Sequence, residues 1–251
     1  MKIVGIIPAR FASTRFPGKP LALLGGKYII DRVYHRVKGV LDRVVVATDD
    51  DRIAYAVRSF GGEVIMTGTH HKSGTDRIME AYTKLNEEYD VIVNIQGDEP
   101  FIHPTQITSL CECFTDSSVD IATLVKPFTP QDGWAALENP NSPKVIVDKN
   151  MHALYFSRSV IPYMRGENDK EQWLTKHTYY KHIGMYAYRA NVLKEITSLP
   201  QSSLEIAESL EQLRWLENGY TIKVGITDIE TIGIDTPEDL QKAEAYLARQ
   251  H

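Results

Sequence analysis

"IVGIIPARFASTRFPGKP", residues 3–20, begins as an unbroken apolar run and turns at Pro8 into a loop carrying Arg10, Arg15 and Lys19. An apolar run without polar alternation suits a strand covered on both faces, as in a parallel sheet between helices. Three more such runs follow: "VVVA" (44–47), "VIVNI" (91–95) and "IATLV" (121–125). Helical periodicities lie between them. Ile53, Val57 and Phe60 recur at spacings of four and three before a Gly61–Gly62 stop. Ile78, Ala81 and Leu85 repeat the pattern, with Ser73, Thr75 or Asp76 offering an N-cap. Strands alternating with helices imply right-handed βαβ units, so the expected fold is α/β, a doubly wound, mostly parallel sheet.

Beyond residue 126 the pattern changes. "PKVIVDKNMHALYFSRSVIP" (143–162) reads as two strands about a turn at Asp148–Asn150, and "HIGMYAYR" (182–189) as another strand. One helix is expected over 203–218, with Ile206, Leu210, Leu213 and Leu216 as its apolar stripe and Gly219 as its stop. "TIKVGIT" (221–227) and "TIGI" (231–234) read as strands. "DTPEDLQKAEAYLARQ" (235–250) reads as a helix with Thr236 as N-cap and Pro237 at the first turn. The polar segment "FTPQDGWAALENP" (128–140) reads as a mobile or interface loop. Without a linker or repeat, the expectation is one domain over 1–251 with an inserted β-rich lobe at roughly 128–200.

With 43% hydrophobic and 24% charged residues the 251-residue chain has the composition of a soluble globular protein. It lacks both an apolar window of about 18 residues and a basic leader, so a cytoplasmic location with no membrane span is expected. Cys111 and Cys113 are the only cysteines, too close for an ordinary disulfide and too few for a zinc site, and are expected reduced. His70 and His71 show no ligand partner in the sequence and carry no metal expectation. A net charge of −5 argues against general nucleic-acid binding. Charge is uneven, however: residues 1–30 hold five basic residues and no acid, which points to a specific anion site.

In open α/β sheets ligands bind beyond the carboxyl ends of the strands, where the 9–19 loop lies. Arg10 and Arg15 can fork onto phosphate oxygens, Lys19 can act as a point charge, and Ser13, Thr14 and Gly18 allow close backbone approach. Neither GxGxxG nor GxxxxGK[ST] is present, which lowers both readings. A solvated basic loop is the plainer account. "NIQGDEP" (94–100) ends the third run with Asp98 and Glu99, and Asp235 precedes the last helix. Two carboxylates beside substrate phosphates suit magnesium; alternatively Asp98 caps the turn before Pro100 and Asp235 caps the helix.

"PARFASTRFPGKPL" resembles the N-terminal signature of the cytidylyltransferases that activate acidic sugars. The later blocks "VVVATDD", "SGTDR", "VNIQGDEP", "NPNSPKVIVD", "ALYFSRSVIP", "HIGMYAYR", "LEIAESLEQLRWLENGY" and "GIDTPEDL" resemble the 3-deoxy-manno-octulosonate (Kdo) branch, in the same order and nearly end to end. The resemblance implies a nucleotide-diphospho-sugar transferase-like fold and transfer of CMP from CTP to the anomeric hydroxyl of Kdo, releasing pyrophosphate, for bacterial lipopolysaccharide synthesis. It implies Mg2+ held by Asp98 and Asp235, Lys19 and Arg10 as further catalytic groups, and a homodimer formed through the inserted lobe. Arg15, Ala9, Ser73, Arg77 and Gln96 are implied for CTP, and Arg158, His182, Tyr186, Glu211 and Gln212 for the sugar. Alternate positions on one strand share a face, so His182, Gly184 and Tyr186 are expected together. Glu205 and Glu208 are expected on the surface, and "TDDD" (48–51) as a capped helix start.

The rivals are a sialate or sugar 1-phosphate nucleotidyltransferase, a glycosyltransferase that uses a nucleotide sugar, and a non-catalytic nucleotide-binding module. The cationic loop favours a triphosphate over a spent diphosphate, and paired acids are not needed for binding alone.

Overall fold

The computed structural model describes residues 1–13, 15–71, 73–230 and 232–249. The chain divides into two compact units, Met1–Thr108 with Thr231–His251, and Ser109–Glu230.

The first unit opens with β1 (Ile3–Ala9), a two-residue hairpin β2 (Leu23–Leu24) and β3 (Lys27–Tyr28), and α1 (Ile29–Val37). It continues through β4 (Arg43–Thr48), α2 (Asp51–Ser59), β5 (Val64–Met66), α3 (Gly74–Leu85) and β6 (Val91–Asn94) to the first half of α4 (Pro104–Glu112), within which the second unit begins. The strands run parallel in the order β6-β1-β4-β5. Val4, Ile6, Ile7, Val45, Val46, Ile92 and Val93 are fully buried, which is why the runs are apolar without alternation. Asp50 caps α2 by accepting from the Arg52 and Ile53 amides, as the acidic run at 48–51 suggests. Ser73 caps α3 in a reciprocal box with Asp76.

The second unit holds β7 (Ile121–Pro127), α5 (Gly133–Glu138), β8 (Lys144–Val147), β9 (Ala153–Ser157), α6 (Trp173–Lys176) and β10 (Tyr180–Arg189). Then come α7 (Ala190–Ile196), α8 (Ser203–Glu208), α9 (Gln212–Glu217) and β11 (Ile222–Ile226). β7 pairs with β11 in parallel and with β10 antiparallel; β8 joins β10 to β9. The chain returns to the first unit as α10 (Pro237–Ala248), capped by Thr236 with Asp239.

Several expectations need correction. The helix over 203–218 is two helices, because Ser209 takes a left-handed φ of 52° between α8 and α9. Ile206 is consequently 63% exposed and not part of a core stripe. Glu205 is buried, because Arg214 Nε and Nη2 reach it at 2.8 and 2.5 Å. Glu208 is not a solvated acid: it accepts from Ser157 Oγ at 2.6 Å and the Arg158 amide at 2.9 Å. The 128–140 segment is not a bare loop; Thr129 and Asp132 make a capping box, and Phe128 and Leu137 enter a core with Trp173, Leu174 and Tyr179. Ile232–Ile234 form no strand, and Thr231 lies outside the described residues. The cysteines, by contrast, are free thiols as expected.

Candidate active site

β1 delivers the basic loop at its carboxyl end. Inside the loop the Gly18 amide donates to the Phe11 carbonyl at 2.9 Å, and Phe16 N–H to Ser13 Oγ at 3.3 Å. Gly18 has φ 71°, and a Cβ there would stand 2.9 Å from the Phe11 ring, so position and conformation both demand glycine. On Phe11 the Arg52 guanidinium stacks 3.3 Å from the ring centroid, and Arg52 is itself forked onto Asp50 at 3.0 and 2.6 Å. Lys19 then begins a short 3-10 turn. Thr14 lies outside the described residues.

Two carboxylates meet Lys19. Its ammonium lies 2.6 Å from Asp98 Oδ2 and 3.1 Å from Asp235 Oδ1, and Arg15 Nη1 lies 3.3 Å from Asp235 Oδ2. Asp98 follows β6 and its carbonyl accepts from the Ile234 amide at 2.9 Å, which seats Asp235 beside it. Since Thr236 and Asp239 cap α10, the Asp235 carboxylate is available to the site. One cation held by two carboxylate oxygens is a donor set of the kind magnesium takes, so these residues fit that ion.

A cavity of about 280 Å³ runs along this edge, and Ala9, Arg10, Arg15, Lys19, Ser73, Arg77, Gln96, Asp98 and Asp235 all line it. Thus every residue expected at the nucleotide is gathered around one space. Arg77 is buried, with Nη2 donating to Asp49 at 2.8 Å and Nη1 to Thr67 Oγ1 at 2.6 Å, which fixes it as a rigid wall. His71 also lines the cavity, and nothing in its local sequence announced that. The expectation that it lacks a partner is corrected by a hydrogen bond to Glu80, nine residues on across the α3 start.

The residues expected at the sugar are in the second unit. His182 and Tyr186 lie with ring centroids 5.4 Å apart. Simple alternation is not the reason. β10 carries a bulge, so that Ile183 faces Leu124 while Tyr186 faces Thr123. Two extra residues preserve the face, and Thr123 Oγ1 donates into the bulge at the Met185 carbonyl, 2.8 Å. Burial holds His182 down at about 3, hence neutral. Burial, with Tyr188 and the Glu211 carboxylate adding to it, pushes the Tyr186 phenol well above its ordinary value. Gln212 is buried at the start of α9, and its Nε2 has no hydrogen-bond partner among the described residues. Arg158 directly follows β9, with its guanidinium on three carbonyls, Glu208 at 2.6 Å, Pro140 at 2.9 Å and Ser209 at 3.3 Å. Its own carbonyl accepts from Lys144 Nζ at 2.6 Å.

Comparison with known proteins identifies the family and the fold. The 3-deoxy-manno-octulosonate cytidylyltransferase of Phocaeicola vulgatus is 70% identical over 250 residues, covering 100% of this chain and 99% of that protein. The Porphyromonas gingivalis protein of the same name is 57% identical over 249 residues, covering 99% and 98%. A solved CMP:2-keto-3-deoxy-manno-octonic acid synthetase complexed with CTP superposes with a TM-score of 0.90 at 42% identity, covering 100% of both chains. A Bacillus anthracis structure described as a putative glucose-1-phosphate thymidylyltransferase, at 17% identity and TM-score 0.66, shares the fold. No helix among the described residues is long and apolar enough to cross a membrane. The cytidylyltransferase profile matches residues 4–229, and with these full-length relatives it establishes that the chain belongs to the cytidylyltransferase family.

Proposed function

We propose that this chain transfers the CMP group of CTP to the anomeric hydroxyl of 3-deoxy-manno-octulosonate, giving CMP-Kdo and pyrophosphate. The full-length identity of 70% to a protein of that activity supports the substrate pair. The observation that carries the chemistry is the cavity in which Lys19 stands between Asp98 and Asp235.

In the reaction the sugar oxygen forms a bond to the α-phosphorus, the bond from that phosphorus to the bridging oxygen breaks, pyrophosphate departs, and the hydroxyl proton passes to solvent. Transfers of this kind depend on positioning and charge neutralisation. Lys19 and Arg10 supply positive charge to the triphosphate, and Arg15, which lines the same cavity, forks onto it. Asp98 and Asp235 would hold Mg2+, which when bound supplies further positive charge to the phosphates. Ala9, Ser73, Arg77 and Gln96 shape the cytosine end, where an amide such as Gln96 offers both a donor and an acceptor to a base edge.

In the second unit, proposed as the sugar-binding lobe, neutral His182 and Tyr186 offer polar atoms to hydroxyls. Glu211, Gln212 and Arg158 complete that set, Arg158 as the cation for the sugar carboxylate. A homodimer, cytoplasmic location and a role in supplying lipopolysaccharide synthesis belong to the same reading; sedimentation tests the first. The decisive assay incubates the protein with CTP, Mg2+ and either Kdo or sialate and measures pyrophosphate. Release with Kdo is expected, and release with sialate alone overturns the substrate.

A further inference from the structure

His70, His71 and Glu80 are not part of the machinery proposed above, and their ligand atoms all lie within 4.8 Å of one another. The two imidazoles come from the loop before α3, with ring centroids 4.5 Å apart. Glu80 projects back from α3. Its Oε2 hydrogen-bonds His71 Nε2 and accepts the Gly68 amide at 3.0 Å, while its Oε1 pairs with Lys84 Nζ at 2.6 Å. Gly68 is what allows the cluster to close. A Cβ there would stand 2.5 Å from His70 Cε1 and 3.5 Å from Glu80 Oε2.

Two imidazoles and one carboxylate make a donor set for a borderline transition ion, whereas magnesium prefers oxygen throughout. Zinc bonds of about 2.0–2.2 Å in a tetrahedron put ligand atoms about 3.3–3.6 Å apart. The donors lie close to that spacing, and binding requires adjustment of the His70 and Glu80 side chains, of which His70 is exposed. We propose that His70, His71 and Glu80 form a transition-metal site of the zinc class at the wall of the nucleotide cavity. The ion takes the place of the hydrogen bond between His71 Nε2 and Glu80 Oε2, and the displaced proton passes to solvent. Glu80 Oε1 retains Lys84, so the carboxylate binds through one oxygen. Three protein ligands leave a fourth position for water. Because His71 lines the cavity, an ion there fixes one of its wall residues.

The test is calorimetric titration of the untagged chain with Zn2+ alone, in excess Mg2+ to occupy all-oxygen sites. One ion per chain is expected, weakened tenfold or more in H70A and in E80Q. His70 is exposed, so H70A is expected to keep the parent melting curve, and that curve is recorded for each variant. Co2+ in place of Zn2+ is expected to give a visible absorption band in the parent that H70A lacks. Absence of Zn2+ binding overturns the proposal. So does binding unchanged in H70A and E80Q, or binding lost only in D98A, which would place the ion at the other carboxylates.

Discussion

Lys19 and Asp98, 79 positions apart, meet in an ion pair of 2.6 Å whose ammonium is also held by Asp235. Lys19 thus occupies the carboxylate pair that the proposed chemistry assigns to magnesium. Two opposite consequences follow from removing it. Lys19→Met is expected to lower kcat/KM by on the order of 10²–10³, the usual effect of deleting one preorganised charge donor. The same variant is expected to bind Mg2+ more tightly in the absence of nucleotide, since two carboxylates lose their resident cation. Pyrophosphate release and Mg2+ titration measure the two; loss of activity together with weaker Mg2+ binding would contradict the shared-site account.

Asp98→Asn and Asp235→Asn keep the volume and remove one charge each. Pyrophosphate release at saturating Mg2+ is expected to fall at least about 100-fold in either variant, with a higher Mg2+ requirement for what remains. Turnover near wild type in Asp98→Asn would remove that residue from the metal assignment.

The parallel strands of the first unit were legible because burial on both faces leaves no polar residue to break the run. Ala9, Gln96 and Ser73 came from the family resemblance and not from local spacing; they line one cavity because each sits where a strand ends or a helix begins. The second unit was harder. The leucine spacing continues across Ser209, and serine is not a residue that advertises a left-handed φ, so one helix was expected where there are two. Periodicity also cannot separate a solvated glutamate from one such as Glu205, whose partner Arg214 lies nine residues on and across that break. The bulge in β10 depends on the Thr123 hydroxyl of another strand, and the His71–Glu80 contact crosses a loop. Each of these is a tertiary pairing that no local spacing encodes.

The Arg52 guanidinium on the Phe11 face holds the cationic loop from outside the cavity. An exposed cation–π contact of this kind is a weak restraint. Arg52→Ala is therefore expected to raise KM for CTP about two- to fivefold, with kcat and the melting temperature little changed. Steady-state kinetics check the split; an unchanged KM with a reduced kcat would rule out a role in holding the loop for the nucleotide.

Glu205 and Arg214 form a mostly buried, doubly hydrogen-bonded pair. Removing one member leaves the other charged and desolvated, at a typical cost of about 3–5 kcal/mol. Glu205→Ala is expected to lower the urea midpoint accordingly, whereas replacing both residues by apolar ones should recover much of the loss. A Glu205→Ala midpoint equal to wild type would return the glutamate to the surface.

Lys144 is fully buried, and among the described residues its ammonium donates only to carbonyls, Asn139 at 3.0 Å and Arg158 at 2.6 Å. Burial lowers its pKa from 10.5 to about 8. Between those values the unfolded chain binds more protons at this site than the folded one, so the lysine's contribution to stability rises with pH across that window. The full shift corresponds to roughly 3 kcal/mol. Below pH 8 the group is charged in both states and the folded protein bears the whole cost of burying it. Lys144→Met removes the titration, so wild type is expected to gain stability relative to the variant as pH rises from about 8 to 9.5. Urea unfolding at several pH values in that range measures the difference; parallel pH profiles for the two proteins would mean that the ammonium is not desolvated in solution.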